Sequence, residues 1–329
     1  MKKKFQFIIY YLAVLFFTVL FSSCDNINNP EDTIRTDTNS GWKIQTRNIT
    51  AKLFSISFIN SMTGMAAGEQ GIVLKTTDGG SNWITVHSGS TYYLKGIKCI
   101  DENTATAVGS NGTVIRTSDG GITWVDQSSG VTNELNAVAF FGTNNGYLAG
   151  FAGSVCMTTN GGANWWREIQ IQTTMNAMYF VSSIYGGVCG SGGQIYMTAD
   201  GGYTWIQGNS GTGVDLNGIV FIDAMTGVMV GNAGEIRMSN NGGGGWWKIE
   251  TGLTSNTLFS VAMPTINRIT AVGGGGVILT STNWGGAWRL QNTGVPVALY
   301  SVFFTDNNTG YAVGEQGVII KTTNGGENY

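Results

Sequence analysis

One eight-residue stretch is written seven times along the chain and constrains its fold more than any other feature. The first copy reads Thr76-Thr77-Asp78-Gly79-Gly80-Ser81-Asn82-Trp83. An acidic or amide residue recurs at Asp78, Asp119, Asn160, Asp200, Asn241, Asn283 and Asn324. Five residues later an aromatic follows each time, at Trp83, Trp124, Trp165, Trp205, Trp246, Trp288 and Tyr329. Successive aromatics are 41, 41, 40, 41, 42 and 41 residues apart. A period near 40 made of short strands predicts an all-β chain: a seven-bladed β-propeller with one four-stranded antiparallel blade per repeat.

Each repeat supports four strands. The first begins at Leu53, Leu94, Leu135, Met175, Leu216, Leu258 and Leu299. Its third residue is always Ser, Gly or Ala, which suits an inner edge where seven strands converge. The third strand carries a β-branched residue at Val73, Val114, Val155, Ile195, Ile236, Ile278 and Ile319, the mark of a pleated, buried position. The eight-residue box then reads as a hairpin. Its Asp or Asn is expected to bond backbone N–H groups two residues on, and Gly supplies left-handed backbone. The aromatic opens the outer strand, where burial of its ring stabilises by roughly 2–3 kcal/mol. Seven boxes on seven blades read as folding devices rather than as a metal array, because four of the seven carry Asn.

Trp42 lies 41 residues before Trp83, so Trp42-Lys43-Ile44-Gln45 matches an outer strand with no blade in front of it. The chain stops at Tyr329, where the last blade needs that strand. The N-terminal segment is therefore expected to close the ring, removing an open sheet edge. The whole of 42–329 reads as one propeller.

Ahead of it, Lys2-Lys3-Lys4, an apolar run from Phe5 to Phe21, and Ser22-Ser23-Cys24 read as an export signal over 1–23. The Cys after two small residues resembles a bacterial lipoprotein signal, and that resemblance implies lipidation of Cys24. Residues 24–41 read as a flexible Asn/Asp/Thr-rich tether. The expectation is a monomeric propeller, lipid-anchored at the bacterial cell envelope. Cys99, Cys156 and Cys189 fall at apolar repeat positions and read as core residues.

The net charge is −3, and no Lys/Arg cluster interrupts the repeats, which argues against a nucleic-acid partner. His87 is the only histidine, so multi-His metal sites and His-based triads are hard to build; it is expected to face solvent. No cofactor or metal is expected. Gly273–Gly276 and Gly190–Gly193 lack the following helix that a phosphate loop requires. Arg237 occupies a third-strand position that is apolar or aromatic in the other blades, so it needs a partner or solvent.

The stretch Gly310 to Gly326, Gly-Tyr-Ala-Val-Gly through Lys-Thr-Thr-Asn-Gly-Gly, resembles the Asp-box (BNR) repeats of photosystem II stability/assembly-factor-like propellers. The resemblance covers 42–329. It implies a non-catalytic propeller that binds a partner protein and assists assembly of a complex. That family's photosynthetic members carry an arginine-rich patch; here the seven Arg are scattered at 35, 47, 116, 167, 237, 268 and 289. The same box occurs in sialidases, polysaccharide hydrolases and sortilin-type receptors, and box for box it does not separate them. A sialidase needs an arginine triad, which this scatter does not suggest.

Binding is expected on the face opposite the boxes, in the loops between second and third strands. There Glu69-Gln70-Gly71 and Glu315-Gln316-Gly317 are identical and, in a closed ring, neighbours. Two such carboxylates could serve an inverting glycoside hydrolase if they stood roughly 6.5–9.5 Å apart. Tyr92, Tyr93, Phe151 and Tyr300 fall on or beside that face and suit a protein partner or a glycan. The leading reading is a non-catalytic, protein-binding assembly scaffold. The competing one is a carbohydrate binder or glycoside hydrolase.

Overall fold

The computed structural model describes residues 41–46 and 49–327 of the chain. The export signal, Cys24, the tether to residue 40 and Tyr329 lie outside the described residues. Seven four-stranded antiparallel sheets are present, and no α-helix occurs among the described residues. Blade 1 runs from the inner strand Leu53–Phe58 through Gly64–Gly68 and Val73–Thr76 to the outer strand Ile84–His87. Inner strands of successive blades touch, and that of blade 7 touches that of blade 1, which closes the ring.

The N-terminal strand Gly41–Thr46 pairs antiparallel with Ile319–Gly326, the third strand of blade 7. It starts one residue earlier than expected. Trp42 is 2% exposed and meets Phe304 edge to face, with ring centroids 6.1 Å apart. The same contact joins Trp83 to Phe58, Trp165 to Phe140, Trp205 to Phe180 and Trp246 to Phe221. Trp42 thus fills the place that the box aromatic holds in those blades.

The box works differently from expectation in one detail. In blade 2, Asp119 Oδ1 accepts from the backbone N–H of Thr123, four residues on, while Gly121 N–H donates to Thr117 Oγ1. Asn160 repeats the bond with Asn164 N–H at 3.0 Å. The loop is therefore wider than a two-residue turn, and an amide serves as well as a carboxylate.

The boxes of blades 1, 2, 4 and 7 are also latched by the preceding blade. Tyr311 Oη and Lys321 Nζ donate to Gly79 O at 2.9 and 2.6 Å, Lys75 Nζ to Gly120 O at 2.6 Å, and Tyr147 Oη to Gly201 O at 2.8 Å. Arg268, nearly buried, does the same for Gly325 O at 2.9 Å. Cys99, Cys156 and Cys189 are buried in the blade cores. His87 does not face solvent: it lies in the outer strand, half-buried, its Nδ1 2.7 Å from Gly71 O and its ring edge to face with Trp124. Arg237 finds its partner in Glu235, Nε to Oε1 at 2.6 Å.

Candidate functional site at the channel mouth

The seven inner strands share one irregularity. Each slips register between its first and third residues, as between Leu53 and Ser55 in blade 1. The other six slip at Leu94/Gly96, Leu135/Ala137, Met175/Ala177, Leu216/Gly218, Leu258/Ser260 and Leu299/Ser301. A slip of this kind is a β-bulge, which leaves one residue unpaired and re-aims its side chain. The unpaired residues are Phe54, Lys95, Asn136, Asn176, Asn217, Phe259 and Tyr300. All seven line a cavity of about 360 Å³ with the small third residues behind them. The cavity is the mouth of the central channel, on the face opposite the boxes.

The mouth is divided by chemistry. Blades 6, 7 and 1 contribute an arc of Phe259, Tyr300 and Phe54, with successive centroids 5.1 and 5.5 Å apart and planes inclined at 53° and 51°. Those inclinations are close to one seventh of a turn, so each ring holds the same pose relative to its own blade. Lys95 of blade 2 places its ammonium 4.4 Å from the Phe54 ring centroid. Blades 3, 4 and 5 contribute amides. Asn136, Asn176 and Asn217 donate through Nδ2 to the carbonyls of Met175, Leu216 and Leu258 in the next blade, at 3.0, 3.0 and 3.1 Å. On the other side of the ring, serines do the bridging: Ser55, Ser260 and Ser301 Oγ accept backbone N–H groups from the following blade.

Above the aromatic arc stand the two identical turns. Glu69–Gly71 and Glu315–Gly317 are single 3-10 turns, as are their counterparts in the other five blades. Tyr300 Oη donates to Glu315 Oε1 at 3.0 Å, and Lys52 Nζ lies 3.4 Å from the same oxygen. The Lys52 backbone N–H donates to Glu69 Oε2 at 3.1 Å. Lys52 thus links the two carboxylates. The Tyr300 hydrogen bond, chiefly, holds the Glu315 carboxyl below its ordinary range, while burial and Glu315 push the Tyr300 phenol up to about 12.

Of the residues expected here, the structure brings Tyr300, Glu315 and Glu69 together, and Tyr93 joins them through Phe54 at 6.3 Å. Gln70 and Gln316 occupy left-handed turn positions with φ of 56° and point outward, both exposed. Phe151 stands apart on the blade 3 turn, 55% exposed. Tyr92 is half-buried, packed against the apolar cluster between blades 1 and 2 that includes Leu94. Sequence reasoning missed Phe54, Lys95, Asn136, Asn176, Asn217 and Phe259. Their trace was a variable second residue between an invariantly apolar first and an invariantly small third. Among the described residues, no group of His, Cys, Asp and Glu is placed to hold a metal ion.

No curated protein matches the chain. Among solved structures, it is similar to YCF48 bound to a D1 peptide, with a TM-score of 0.73 and 22% identity over 86% of this chain and 97% of that one. YCF48 from Cyanidioschyzon merolae gives a TM-score of 0.73 and 21% identity, covering 85% and 98%. A GH74 xyloglucanase from Xanthomonas campestris matches at a TM-score of 0.70 and 12% identity, covering 87% of this chain and 54% of that one. At these identities the likenesses show a shared propeller fold. The sequence model of the photosynthesis system II assembly factor YCF48 matches residues 82–205 and 226–323, most of the chain. With its seven boxed blades and N-terminal closing strand, the chain belongs to the photosynthesis system II assembly factor YCF48 family.

Proposed function

We propose that this chain is a non-catalytic scaffold that captures a segment of a partner protein on the face bearing the channel mouth, and that a lipid on Cys24 anchors it at the bacterial cell envelope. The observation that carries the reading is the character of that face. Tyr93 and Phe151 project from its rim at 45% and 55% exposure, large apolar side chains of the kind that anchor protein interfaces. Family membership points the same way, since a similar structure holds a peptide.

The GH74 likeness keeps a hydrolase in view, but the Glu69/Glu315 pair supports it weakly. A general acid must hold its proton near neutral pH, which requires a raised carboxyl pKa. Glu315 is held the other way, below its ordinary range, by Tyr300 and Lys52.

The test is a photo-crosslinking residue placed at Phe151 in cells making the full chain, beside one at Ile206 on the outer edge. A discrete adduct from position 151, absent from 206 and competed by excess unlabelled protein, is expected. The same pattern from both positions, or none, overturns the scaffold reading. Fatty-acid labelling lost in Cys24→Ser tests the anchor separately.

A further inference from the structure

We infer that the channel mouth binds a hexuronic acid, a pyranose that carries a carboxylate, in addition to any protein seated on the rim. Three features of the mouth each meet one part of such a sugar. The Lys95 ammonium lies among the lining residues, over the Phe54 ring, and no carboxylate among the described residues pairs with it. An ammonium held at an aromatic face in a partly enclosed site gains from an anionic ligand, which forms a charge-assisted hydrogen bond. The remaining ligand atoms meet no second cation. They meet Asn136 and Asn176, whose Nδ2 groups are tied to the next blade at 3.0 Å and are therefore fixed in orientation. Each amide nitrogen has two hydrogens: Asn136 Nδ2 spends one on Met175 O and keeps one, whereas Asn176 Nδ2 spends both, on Leu216 O and on Asn217 Oδ1 at 3.3 Å. Asn136 Oδ1 has no hydrogen-bond donor among the described residues. An oriented amide that both donates and accepts, as Asn136 can, suits vicinal hydroxyls. The apolar C–H side of a pyranose matches the arc of Phe259, Tyr300 and Phe54.

The electrostatics agree. No Asp or Glu lines the cavity, and Glu315, held behind the lining residue Tyr300, is hydrogen-bonded by Tyr300 Oη and paired with Lys52 Nζ, which offsets part of its charge. The cavity of about 360 Å³ lies at the small end of ligand pockets, which run from about 300 to 1,000 Å³. That size admits the end of a glycan rather than a folded polypeptide.

The experiment is isothermal titration of the purified full chain with glucuronic and galacturonic acids, their neutral hexoses, acetate, and an aromatic dipeptide with a free carboxylate. One uronic acid should bind about tenfold or more tightly than its hexose. Lys95→Met should abolish that preference, and Asn136→Ala should weaken both sugars, with thermal melts confirming that both variants fold. The inference is overturned by the absence of uronic acid binding, by equal binding of the hexose, by acetate or the dipeptide binding as well as the sugar, or by an unchanged preference in Lys95→Met. None of these results touches the Phe151 crosslink, so the scaffold reading stands or falls on its own.

Discussion

Trp42 and Phe304, from opposite ends of the chain, pack edge to face at 6.1 Å and make the seventh blade equivalent to blades 1, 3, 4 and 5. Trp42 also donates its indole N–H to Gln291 Oε1 of blade 6 at 2.6 Å. The ring is therefore closed by one six-residue strand and fastened by one buried indole.

Trp42→Ala should destabilise the propeller by about 3–5 kcal/mol, the usual result of truncating a buried Trp. The same change at exposed Trp166 should cost far less. Chemical denaturation of the two variants measures the difference. Equal midpoints would mean that the closing strand contributes little.

Acid stability should depend on three of the seven boxes. Hydrogen bonds from Thr123 and Thr117 lower the Asp119 carboxyl to about 2, and analogous bonds lower Asp78 and Asp200. A carboxyl depressed in the folded state contributes stability above its unfolded value, near 4, and loses it as pH falls through the folded value. Asp119→Asn should keep the backbone bond, as Asn160 does, but lose the charge-assisted bond from Thr123 Oγ1, and so lower the melting temperature modestly at neutral pH. It should flatten the fall in melting temperature between about pH 4 and pH 2.

Two glycines in equivalent turns should differ in how much alanine costs. At Gly153 φ is +68°, and an added Cβ would lie 1.5 Å from Ile171 O, so Gly153→Ala should cost roughly 2–3 kcal/mol or more. Gly192 has φ of +66° with open space around it, and Ala152 and Ala233 hold the same turn position in blades 3 and 5. Gly192→Ala should therefore cost only the left-handed backbone strain, about 1 kcal/mol. Thermal melts of the pair decide it.

Tyr300→Phe removes the hydrogen bond that most depresses Glu315. The Glu315 carboxyl should then titrate closer to its ordinary range, followed by carbon-detected NMR of labelled glutamate. In the native chain the stability from this contact is present above the unfolded carboxyl value and is lost as pH falls through the lower folded one. An unchanged Glu315 titration would assign the shift to Lys52 instead.

Much of the molecule was legible in the linear sequence. The box recurs because its bonds are local: Asp119 reaches only to Thr123, so the residues that form the turn are adjacent in the chain and repeat with it. Counting the boxes sets the blade number, and Trp42 one period before Trp83 sets the closing strand. Hydrophobic alternation then assigns the core, including the three buried cysteines.

The mouth was decided by tertiary structure. A bulge breaks the two-residue alternation on which strand reading depends, so Phe54, Asn136 and Phe259 turn to the channel although their spacing assigns them to a sheet face. Side chains that latch one blade to the next share a role but not a residue type: Lys75, Tyr147 and Arg268 each hold a box carbonyl. Lys52 joins Glu69 to Glu315 only because closure makes blades 1 and 7 neighbours. A repeat encodes what lies within one blade. Contacts between blades, and the cavity where all seven meet, exist only after the ring has formed.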